Sequence, residues 1–326
     1  MKAFALTSGG LDSRLAAKLI SDQGIEVIKL NFKIPFRFRD KNPPNPDQEL
    51  WRVELREEFL QLIRNPAHGY GSNMNPCIDC KILMLKKAKE LMPEAGVKFV
   101  VTGEVLGQRP MSQNRQALET IARESGLEGL ILRPLSAKLL PETIPEKQGW
   151  VNREKLFDYS GRNRRPQMEL AERLNIREYA QPAGGCLLTD PGFAVRLKDL
   201  MRYGKLNPEG VELLKLGRHF RLSDKAKLVV GRDEGENHRI VSLAEEGDYI
   251  FSPGIELAGP SVLGRGEFCE ELIRLSCGIT CRYCDLNGDL EADIQFYRKS
   301  ESGRKHALIS LRAAPVDDAQ LKSLRI

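Results

Sequence analysis

The sequence predicts an α/β domain, with a parallel sheet covered by helices on both faces, followed by a smaller α+β domain. In residues 1–200, short apolar runs alternate with segments whose apolar residues recur at helical spacing, which is the pattern of a parallel sheet connected by helices. From about Leu222 onward, short apolar runs are separated by Gly, Asp and Asn turns instead. A chain of 326 residues is long enough for two domains, each with its own core.

The elements of the first domain follow one another in regular order. The predicted strands are Ala3–Leu6, Ile25–Phe32, Phe99–Thr102 and Leu130–Leu132, and the predicted helices are Ser13–Gln23, Trp51–Ile63, Ile82–Leu91, Gln116–Ser125 and Arg165–Leu174. Prolines and polar residues from Pro35 to Asp47 predict a mobile flap rather than a regular element. Because ligands of a parallel sheet bind at the carboxyl ends of its strands, we expect a site in the loops after Leu6 and Thr102.

The second domain is predicted to be mainly β. Its expected strands are Lys227–Val230, Tyr249–Phe251, Ala292–Tyr297 and Ala307–Leu311, and Glu267–Cys281 is predicted to be a helix. We expect domains at residues 1–200 and 221–326, joined by a basic linker over residues 201–220.

Positive charge is concentrated in two places. Residues 196–227 hold nine lysines and arginines against four acids, an excess equal to the net charge of +5 of the whole chain. Arg162, Arg164 and Arg165 form a second cluster. Basic zones of this kind suit a polyanion such as RNA, although a solvated surface would have the same composition. The candidate RNA contacts are these three arginines together with Arg202 and Lys205.

The overall composition excludes several classes of protein. A hydrophobic content of 41% and a charged content of 29% are typical of a globular protein rather than a disordered or membrane protein. No apolar stretch is long enough to span a bilayer, and no signal peptide is predicted, so we expect a cytoplasmic protein. Seven cysteines in such a compartment favour metal, cluster or catalytic thiols over a disulfide framework.

The segment from Ser8 to Ser13, with the sequence SGGLDS, follows the first strand and opens the first helix. Two glycines let backbone N–H groups point to one spot, and the helix N-terminus adds partial positive charge there, so the loop suits a phosphate. The loop is not a Walker P-loop, because the lysine after the second glycine is missing. The candidate phosphate-binding residues are Ser8, Gly9, Gly10, Asp12 and Ser13, with Asp12 expected to hold a metal ion or orient a pyrophosphate.

A second polar loop directly follows the strand Phe99–Thr102. Its candidate ligand-binding residues are Gly103, Glu104, Gln108 and Gln113, which could contact ribose, metal or pyrophosphate at a strand end. A polar loop that caps a helix is the alternative.

Three cysteines are predicted to act together in the first domain. Cys77 and Cys80 form a C-x-x-C pair, and Cys186 follows two glycines; proline and glycine neighbours predict that these segments are exposed turns. In the interpretation that we favour, the three thiolates bind a [4Fe–4S] cluster and leave one iron open. In the other, Cys186 carries a persulfide that Cys77 or Cys80 resolves by forming a disulfide. Buried, inert cysteines are the third alternative.

The combination of motifs resembles a known enzyme family. SGG-x-D-S resembles the pyrophosphate loop of the PP-loop ATP pyrophosphatases, which have an adenine nucleotide alpha hydrolase-like fold. Together with TGE-x-LGQ from Thr102, the segment LRPL from Leu132, and the NPC-x-x-C and GGC segments, it resembles the tRNA thiouridine synthases. The TGE-x-LGQ segment most resembles the 4-thiouridine branch, whereas NPC-x-x-C and PAGGCLLTD also resemble the 2-thiouridine synthases.

The resemblance implies an activity and its partners. We expect a tRNA uridine sulfurtransferase that uses ATP and Mg²⁺, releases AMP and pyrophosphate, and takes sulfur as sulfide or from a cysteine desulfurase persulfide. In the 4-thiouridine synthases an RNA-binding domain precedes the glycine loop, and we expect this chain to depart from them in lacking it. Lys227–Arg232, Glu236–Asn237 and Gly259–Pro260 resemble the RNA-binding domain of ribosome quality-control proteins, which would replace it. The sequence does not determine which uridine is modified. It does not determine the oligomeric state either, and a homodimer is compatible with it.

Two other classes of protein fit part of the sequence. An ATP-dependent ligase or amidotransferase acting on a small molecule could use the same loop, but it would need neither the three cysteines nor the basic segment. A non-catalytic RNA-binding protein could retain an inactive nucleotide fold, but the intact glycine loop argues against it.

The remaining cysteines are Cys269, Cys277, Cys281 and Cys284. The last three copy the spacing of a radical S-adenosylmethionine motif, but too few residues follow Cys284 for the barrel such enzymes need. Helical spacing predicts that Cys277 and Cys281 are core residues, with a zinc site as the weaker alternative. The four histidines are scattered, and His219 is expected to face phosphate within the basic segment.

Overall fold

The structure is a computed structural model that describes residues 1–36, 50–177, 179, 186–300 and 308–326. The chain divides into two compact units, Met1–Thr189 and Asp190–Ile326. Most of the predicted flap between Pro35 and Asp47 lies outside the described residues, as does the start of the strand predicted at Ala307.

The first unit contains a five-stranded parallel sheet with the order β3-β2-β1-β4-β5. Its strands are β1 (Lys2–Leu6), β2 (Glu26–Lys33), β3 (Leu50–Glu54), β4 (Phe99–Thr102) and β5 (Ile131–Leu132). Its helices are α1 (Leu11–Ser21), α2 (Arg56–Arg64), α3 (Cys77–Ala95), α4 (Arg115–Glu124), α5 (Ile144–Lys147) and α6 (Arg165–Arg173), with short 3₁₀ turns at Ala137–Leu139, Arg153–Lys155 and Leu187–Thr189.

Both faces of this sheet are covered. Phe4 of β1 packs into a core with Leu85 of α3 and Ile121 of α4. Its neighbours Ala3 and Ala5 point to the opposite face and pack with helix α1. Because successive side chains of a strand alternate between faces, β1 contributes to two separate cores. The predicted α/β fold class is confirmed.

One predicted element of this unit is wrong in its first half. A helix is expected throughout Trp51–Ile63, but Leu50–Glu54 is strand β3, paired with β2, and the helix begins at Arg56. Trp51 lies at this edge strand, with its ring 5.7 Å from that of Phe4. Pairing with β2 and packing on the sheet therefore override the local helical pattern.

The second unit contains a six-stranded antiparallel sheet with the order β11-β10-β8-β9-β7-β6. Its strands are β6 (Arg218–Ser223), β7 (Ala226–Val230), β8 (Tyr249–Pro253), β9 (Val262–Gly266), β10 (Ala292–Arg298) and β11 (Ile309–Ala313). Its helices are α7 (Pro191–Tyr203), α8 (Pro208–Leu214), α9 (Glu234–Ser242), α10 (Glu270–Arg282) and α11 (Asp318–Leu324). This unit is the smaller α+β domain that the sequence predicts.

The basic segment differs from the linker expected at residues 201–220. The second unit begins at Asp190, and residues 201–220 contain the end of α7, all of α8 and the start of β6. Phe193, Leu197, Val211 and Leu214 are buried, so these helices belong to a packed core. The excess of charged residues in this segment conceals its apolar pattern.

The cysteines of α10 behave as core residues. Cys277 and Cys281 are fully buried in the core formed with Phe251 and Ile294. Burial raises the pKa of the Cys277 thiol to about 12, so it is protonated at neutral pH. Cys269 is exposed at the start of the helix. The prediction that Cys277 and Cys281 are core residues is confirmed.

Within the described part of the chain, no helix combines the length and the apolarity needed to cross a membrane.

Candidate nucleotide site and cysteine segments

The predicted site lies where the strand order of the parallel sheet reverses. From β1, the chain proceeds to β2 on one side, while β4 pairs with β1 on the other side. Such a switch point opens a crevice at the carboxyl ends of the two central strands, which is where α/β proteins bind ligands. The glycine loop after β1 and the polar loop after β4 both begin at this edge.

The glycine loop has the backbone that an anion site needs. Gly9 has a φ of +77°, in the left-handed region that favours glycine. Gly10 is the N-cap of α1 and, among the described residues, no side chain caps that end. Ser13 donates its hydroxyl to the carbonyl of Gly10 over 2.9 Å, which holds the turn. The first N–H groups of α1 are therefore available to a phosphate.

Gly103 lets the second loop approach the first turn of α1. A Cβ atom at Gly103 would lie 2.5 Å from both the carbonyl carbon of Asp12 and the backbone nitrogen of Ser13. Only a glycine fits there, so the loop after β4 and the N-terminus of α1 are in direct backbone contact.

Asp12 lies between two hydrogen-bond donors, and only one of its two carboxylate oxygens accepts a hydrogen bond. Its Oδ2 accepts hydrogen bonds from Nε2 of Gln108 at 3.2 Å and from a terminal nitrogen of Arg164 at 3.1 Å. Its Oδ1 is buried without a hydrogen-bond partner among the described residues, and so is Nε of Arg164. Buried polar atoms are rarely left unpaired, so this acceptor and this donor are the candidate contacts for a cation and an anion of a ligand.

The position of Arg164 differs from the one expected. The sequence suggests an RNA contact together with Arg162 and Arg165, but Arg164 is only 27% exposed and pairs with Asp12. The cause is the packing of α6 on α1, which brings the residue just before α6 to the glycine loop. Arg162 and Arg165 do face solvent, and Arg165 pairs with Glu169.

Glu104 is a buried carboxylate held by several partners. Its Oε2 accepts hydrogen bonds from the hydroxyl of Thr102 at 3.0 Å and from Nε of Arg133 at 3.1 Å. Its Oε1 lies 3.6 Å from Nζ of Lys81, which is too far for a hydrogen bond. Burial opposes ionisation, but the charges of Lys81 and Arg133 and the two hydrogen bonds outweigh it, so the pKa of Glu104 lies below its ordinary value.

Lys81 and Arg133 are site residues that sequence reasoning did not single out. Arg133 is recognised from sequence only as part of the LRPL segment, and Lys81 only follows the C-x-x-C pair. Lys81 connects the helix that carries Cys77 and Cys80 to the carboxylate after β4. The structure shows that Glu104 is buried, and a buried carboxylate requires a cation or hydrogen-bond donors nearby, but the sequence does not show which residues supply them.

The cysteine segments are joined by the backbone. Cys77 is the first residue of α3 and Cys80 lies one turn later, both half-buried, rather than on an exposed turn as expected. The side-chain amide of Asn73 donates to the backbone carbonyl of Thr189 at 2.8 Å, and the backbone N–H of Met74 donates to the carbonyl of Leu188 at 3.1 Å. The chain just before Cys77 is thus bound to the chain just after Cys186.

These thiols do not form a ready metal site. All seven cysteines are described and none is in a disulfide. In the described part of the chain, no three His, Cys, Asp or Glu side chains are grouped closely enough to hold a metal ion. The residues 180–185 that precede Cys186 lie outside the described residues.

Part of the basic segment in the second unit is structural. Asp199 of α7 accepts from Nε and a terminal nitrogen of Arg221 at 2.9 and 2.6 Å and from Nζ of Lys227 at 3.0 Å. Burial lowers the pKa of Lys227 to about 8, although Asp199 opposes that shift. These two cations are therefore not available to RNA, whereas Arg202 and Lys205 are not engaged by Asp199 and Lys205 is exposed.

His219 is buried rather than exposed on the basic segment. Its ring is 1% exposed, and Nε2 donates to the carbonyl of Leu216 at 2.7 Å. Burial, together with the charges of Lys227 and Arg196, lowers the pKa of His219 well below its ordinary value. The imidazole is therefore neutral at physiological pH.

The fold and the loops define the first unit as an α/β domain whose parallel sheet has a glycine loop and an uncapped helix at its switch point. The second unit is similar to a family of RNA-binding domains. Residues 217–323 match the family model described as the NFACT protein RNA binding domain.

Curated proteins similar to the chain act on tRNA. A probable tRNA sulfurtransferase of Thermococcus kodakarensis is 31% identical over 151 residues, which cover 41% of this chain and 36% of that protein. A tRNA-specific 2-thiouridylase of Helicobacter hepaticus is 34% identical over 124 residues, covering 32% of this chain and 34% of that protein. The chain thus spans about a third of the length of these relatives.

Together these matches confirm the resemblance to tRNA thiouridine synthases and to an RNA-binding domain. A solved structure, the C-terminal part of the fibronectin/fibrinogen-binding protein of Streptococcus suis, covers 83% of this chain and 94% of that chain at 12% identity. Its TM-score is 0.29, which is too low to support an inference.

Proposed function

We propose that the protein is an ATP-dependent tRNA sulfurtransferase that adenylates a uridine carbonyl oxygen and replaces it with sulfur, with 4-thiouridine favoured over 2-thiouridine. The observation that carries this proposal is the pairing of Lys81 with Glu104. This pair links the helix bearing Cys77 and Cys80 to the loop beside the glycine turn, which supports a reaction in which the cysteines and the nucleotide act at one edge of the sheet.

The residues at this edge fit ATP and Mg²⁺. The N–H groups of the loop and of α1 would hold the phosphates, with the hydroxyls of Ser8 and Ser13 close by. The unpaired Oδ1 of Asp12 suits a magnesium ion, which prefers carboxylate oxygen. The unpaired Nε of Arg164 suits a phosphate oxygen. ATP supplies the electrophilic α-phosphorus when bound.

Activation precedes sulfur transfer because a carbonyl oxygen of uridine is a poor leaving group. That oxygen attacks the α-phosphorus, and pyrophosphate leaves. Arg164 and the helix N-terminus stabilise the negative charge that develops on the phosphates. Asp12 in turn orients Arg164 and Gln108 through Oδ2. The target base must be unstacked to reach the site, at a cost of a few kcal/mol.

Sulfur transfer then proceeds through the cysteines. The terminal sulfur of a Cys186 persulfide attacks the activated carbon, and AMP leaves. A thiolate of Cys77 or Cys80 then attacks Sγ of Cys186, releasing thiouridine and forming a disulfide that a cellular thiol reductant reopens. A cysteine desulfurase would supply the persulfide sulfur.

A [4Fe–4S] cluster on Cys77, Cys80 and Cys186 stays a prediction. The described residues do not form a metal site, so no step of this proposal passes through a cluster. Iron and acid-labile sulfide analysis of anaerobically purified protein tests it: a brown protein that loses iron when any one of the three cysteines is replaced would favour the cluster.

The proposal is tested by mass spectrometry of tRNA nucleosides from a strain that lacks the gene. We expect one thiouridine to disappear and to return with the wild-type gene but not with an Asp12→Asn variant. An unchanged thiouridine content would contradict the proposal and favour a ligase or amidotransferase acting on a small molecule. The identity of the missing nucleoside decides between the 4-thio and 2-thio products.

A further inference from the structure

A pocket of about 360 Å³ in the second unit is lined by four arginines. Arg196 comes from α7, Arg218 from the edge strand β6, Arg232 from the turn before α9, and Arg325 from the end of the chain. The residue Arg325 reaches β6 because it forms an antiparallel bridge with Phe220. Four elements thus converge on one cationic cavity.

Two of the four guanidinium groups, those of Arg196 and Arg218, are held by contacts within the protein. Arg218 lies 4.7 Å from the ring of Tyr283 and donates a hydrogen bond to the carbonyl of Gly231 at 3.3 Å. Arg196 donates from Nε to the carbonyl of Gly192 at 3.2 Å. Fixed side chains lose little conformational entropy on binding, so the pocket is preorganised.

The positive charge of the pocket is only partly neutralised. Arg232 pairs with Glu236. Arg196, Arg218 and Arg325 form no ion pair with any described carboxylate. Burial first, and then repulsion by Arg232, lowers the pKa of Arg196, against the attraction of Asp190 and Glu236. The neutral ring of His219 and the residue Ile326 line the same cavity, and the arginines that carry no ion pair give it a charge that favours an anion.

We propose that this pocket binds a phosphate group of the RNA backbone. Planar guanidinium groups bind phosphate oxygens in pairs, and several of them around one cavity match that geometry. The RNA-binding family model ends at residue 323 and begins at 217, so Arg196 and Arg325 lie outside it. The pocket is therefore built from the family domain together with elements that flank it in this chain. The inference rests on the proposed function only in naming tRNA as the RNA.

The test is the salt dependence of tRNA binding by the full chain, measured by fluorescence anisotropy with an unmodified transcript. For Arg196→Gln and for Arg218→Gln, we expect weaker binding and a slope of log Kobs against log salt that is smaller by about 0.9 for each phosphate that the variant no longer neutralises. Arg282→Gln is the matched control, because Arg282 is an arginine of the same unit that pairs at the surface with Asp318. Wild-type affinity and slope in both pocket variants would overturn the proposal.

Binding of inorganic phosphate distinguishes the two possible sources of the anion, the RNA backbone and free phosphate. If phosphate binds the wild-type protein and not Arg196→Gln, while both bind tRNA equally, the pocket takes free phosphate and the RNA assignment is wrong. Circular dichroism shows whether each variant is folded. If one of the two pocket variants does not fold, the binding test uses the other. If the salt slope of tRNA binding depends on the pocket arginines but the protein forms no thiouridine, the pocket proposal holds and the proposed function is wrong. If the protein forms thiouridine but the pocket variants have the wild-type slope, the proposed function holds and the pocket proposal is wrong.

Discussion

Two aspartates of the protein each bind an arginine, one in each unit, and they differ in what they leave unpaired. Asp12 is 17% exposed and has one oxygen paired with Arg164 and the other without a partner among the described residues. Asp199 is 8% exposed, and both of its oxygens are occupied by Arg221 and Lys227. In the sequence, Asp12 lies in the glycine loop and Asp199 lies in the basic segment of residues 196–227.

The difference separates a binding site from a structural pair. A buried carboxylate with all its partners present stabilises the packing of α7 on the sheet. A buried oxygen without a partner costs free energy in the unliganded protein, and that cost is offset when a ligand binds. On this basis we expect substitutions at Asp12 to affect activity and those at Asp199 to affect stability.

The largest expected effect is on catalysis by Asp12→Asn. We expect tRNA-dependent pyrophosphate release to fall by about 10³-fold, because charge stabilisation at the transition state is weakened. The unfolding midpoint should stay close to that of the wild type. Asp22→Asn is the control, since Asp22 ends the same helix and pairs with Lys18 at the surface. Full activity in Asp12→Asn would remove this residue from the site.

Asp199→Asn should act on stability instead. Removing the negative charge leaves Arg221 and Lys227 unpaired, so the free energy of unfolding of the second unit should fall by about 3 kcal/mol. Chemical denaturation followed by circular dichroism measures this loss. The control is Asp318→Asn, where an 84% exposed carboxylate pairs with Arg282. Equal stability of the two variants would contradict a structural role for Asp199.

Gly103→Ala tests the contact between the two loops. A Cβ atom 2.5 Å from backbone atoms of Asp12 and Ser13 forces the loops apart, and we expect a destabilisation of about 1–3 kcal/mol. Gly10→Ala is the comparison, because its Cβ atom would meet only Ser8 Oγ at 3.5 Å and its φ of −76° suits any residue. Thermal unfolding of both variants measures this difference in stability. Similar unfolding midpoints for Gly103→Ala and Gly10→Ala would contradict the close contact between the loops.

The smallest expected effect is a pH dependence from His219. The folded protein keeps this imidazole neutral, because its pKa lies well below 6.5, while the unfolded chain takes up a proton near that pH. The unfolded state therefore binds more protons below pH 6.5, and stability falls as the pH is lowered, by up to about 1.4 kcal/mol per pH unit. Urea denaturation between pH 5 and pH 8 measures this slope, at roughly the range in which a histidine titrates. The dependence should be absent in His219→Gln and retained in His238→Gln, whose histidine is not buried.

Much of the fold could be predicted from local pattern. Strands β1, β2 and β4 are apolar runs, and helix α1 has apolar residues at helical spacing, so local sequence determines them. Strand β3 could not be predicted, because its conformation depends on pairing with β2 across the chain. Strands β6 and β9 contain polar residues and glycines, and they too form through their neighbours.

The residues of the candidate site that belong to a sequence motif could be predicted. Those that reach the site only through the packing of distant elements could not. The glycine loop and Glu104 lie at strand ends, as the sequence indicates. Arg164 is 152 positions from Asp12, and only the packing of α6 on α1 brings the two together. Charge counting also misled for Lys227, because a basic run does not show which cations are buried.

We propose that the glycine loop and the three cysteines serve one reaction in two steps. The most direct measurement incubates purified protein with ATP, Mg²⁺, a tRNA transcript and a persulfide donor, and quantifies pyrophosphate and thiouridine in parallel. We predict that Cys186→Ser releases pyrophosphate but forms no thiouridine, that Asp12→Asn does neither, and that Cys269→Ser, an exposed cysteine of the other unit, matches the wild type in both. Thiouridine formation by Cys186→Ser at the wild-type rate would contradict the account.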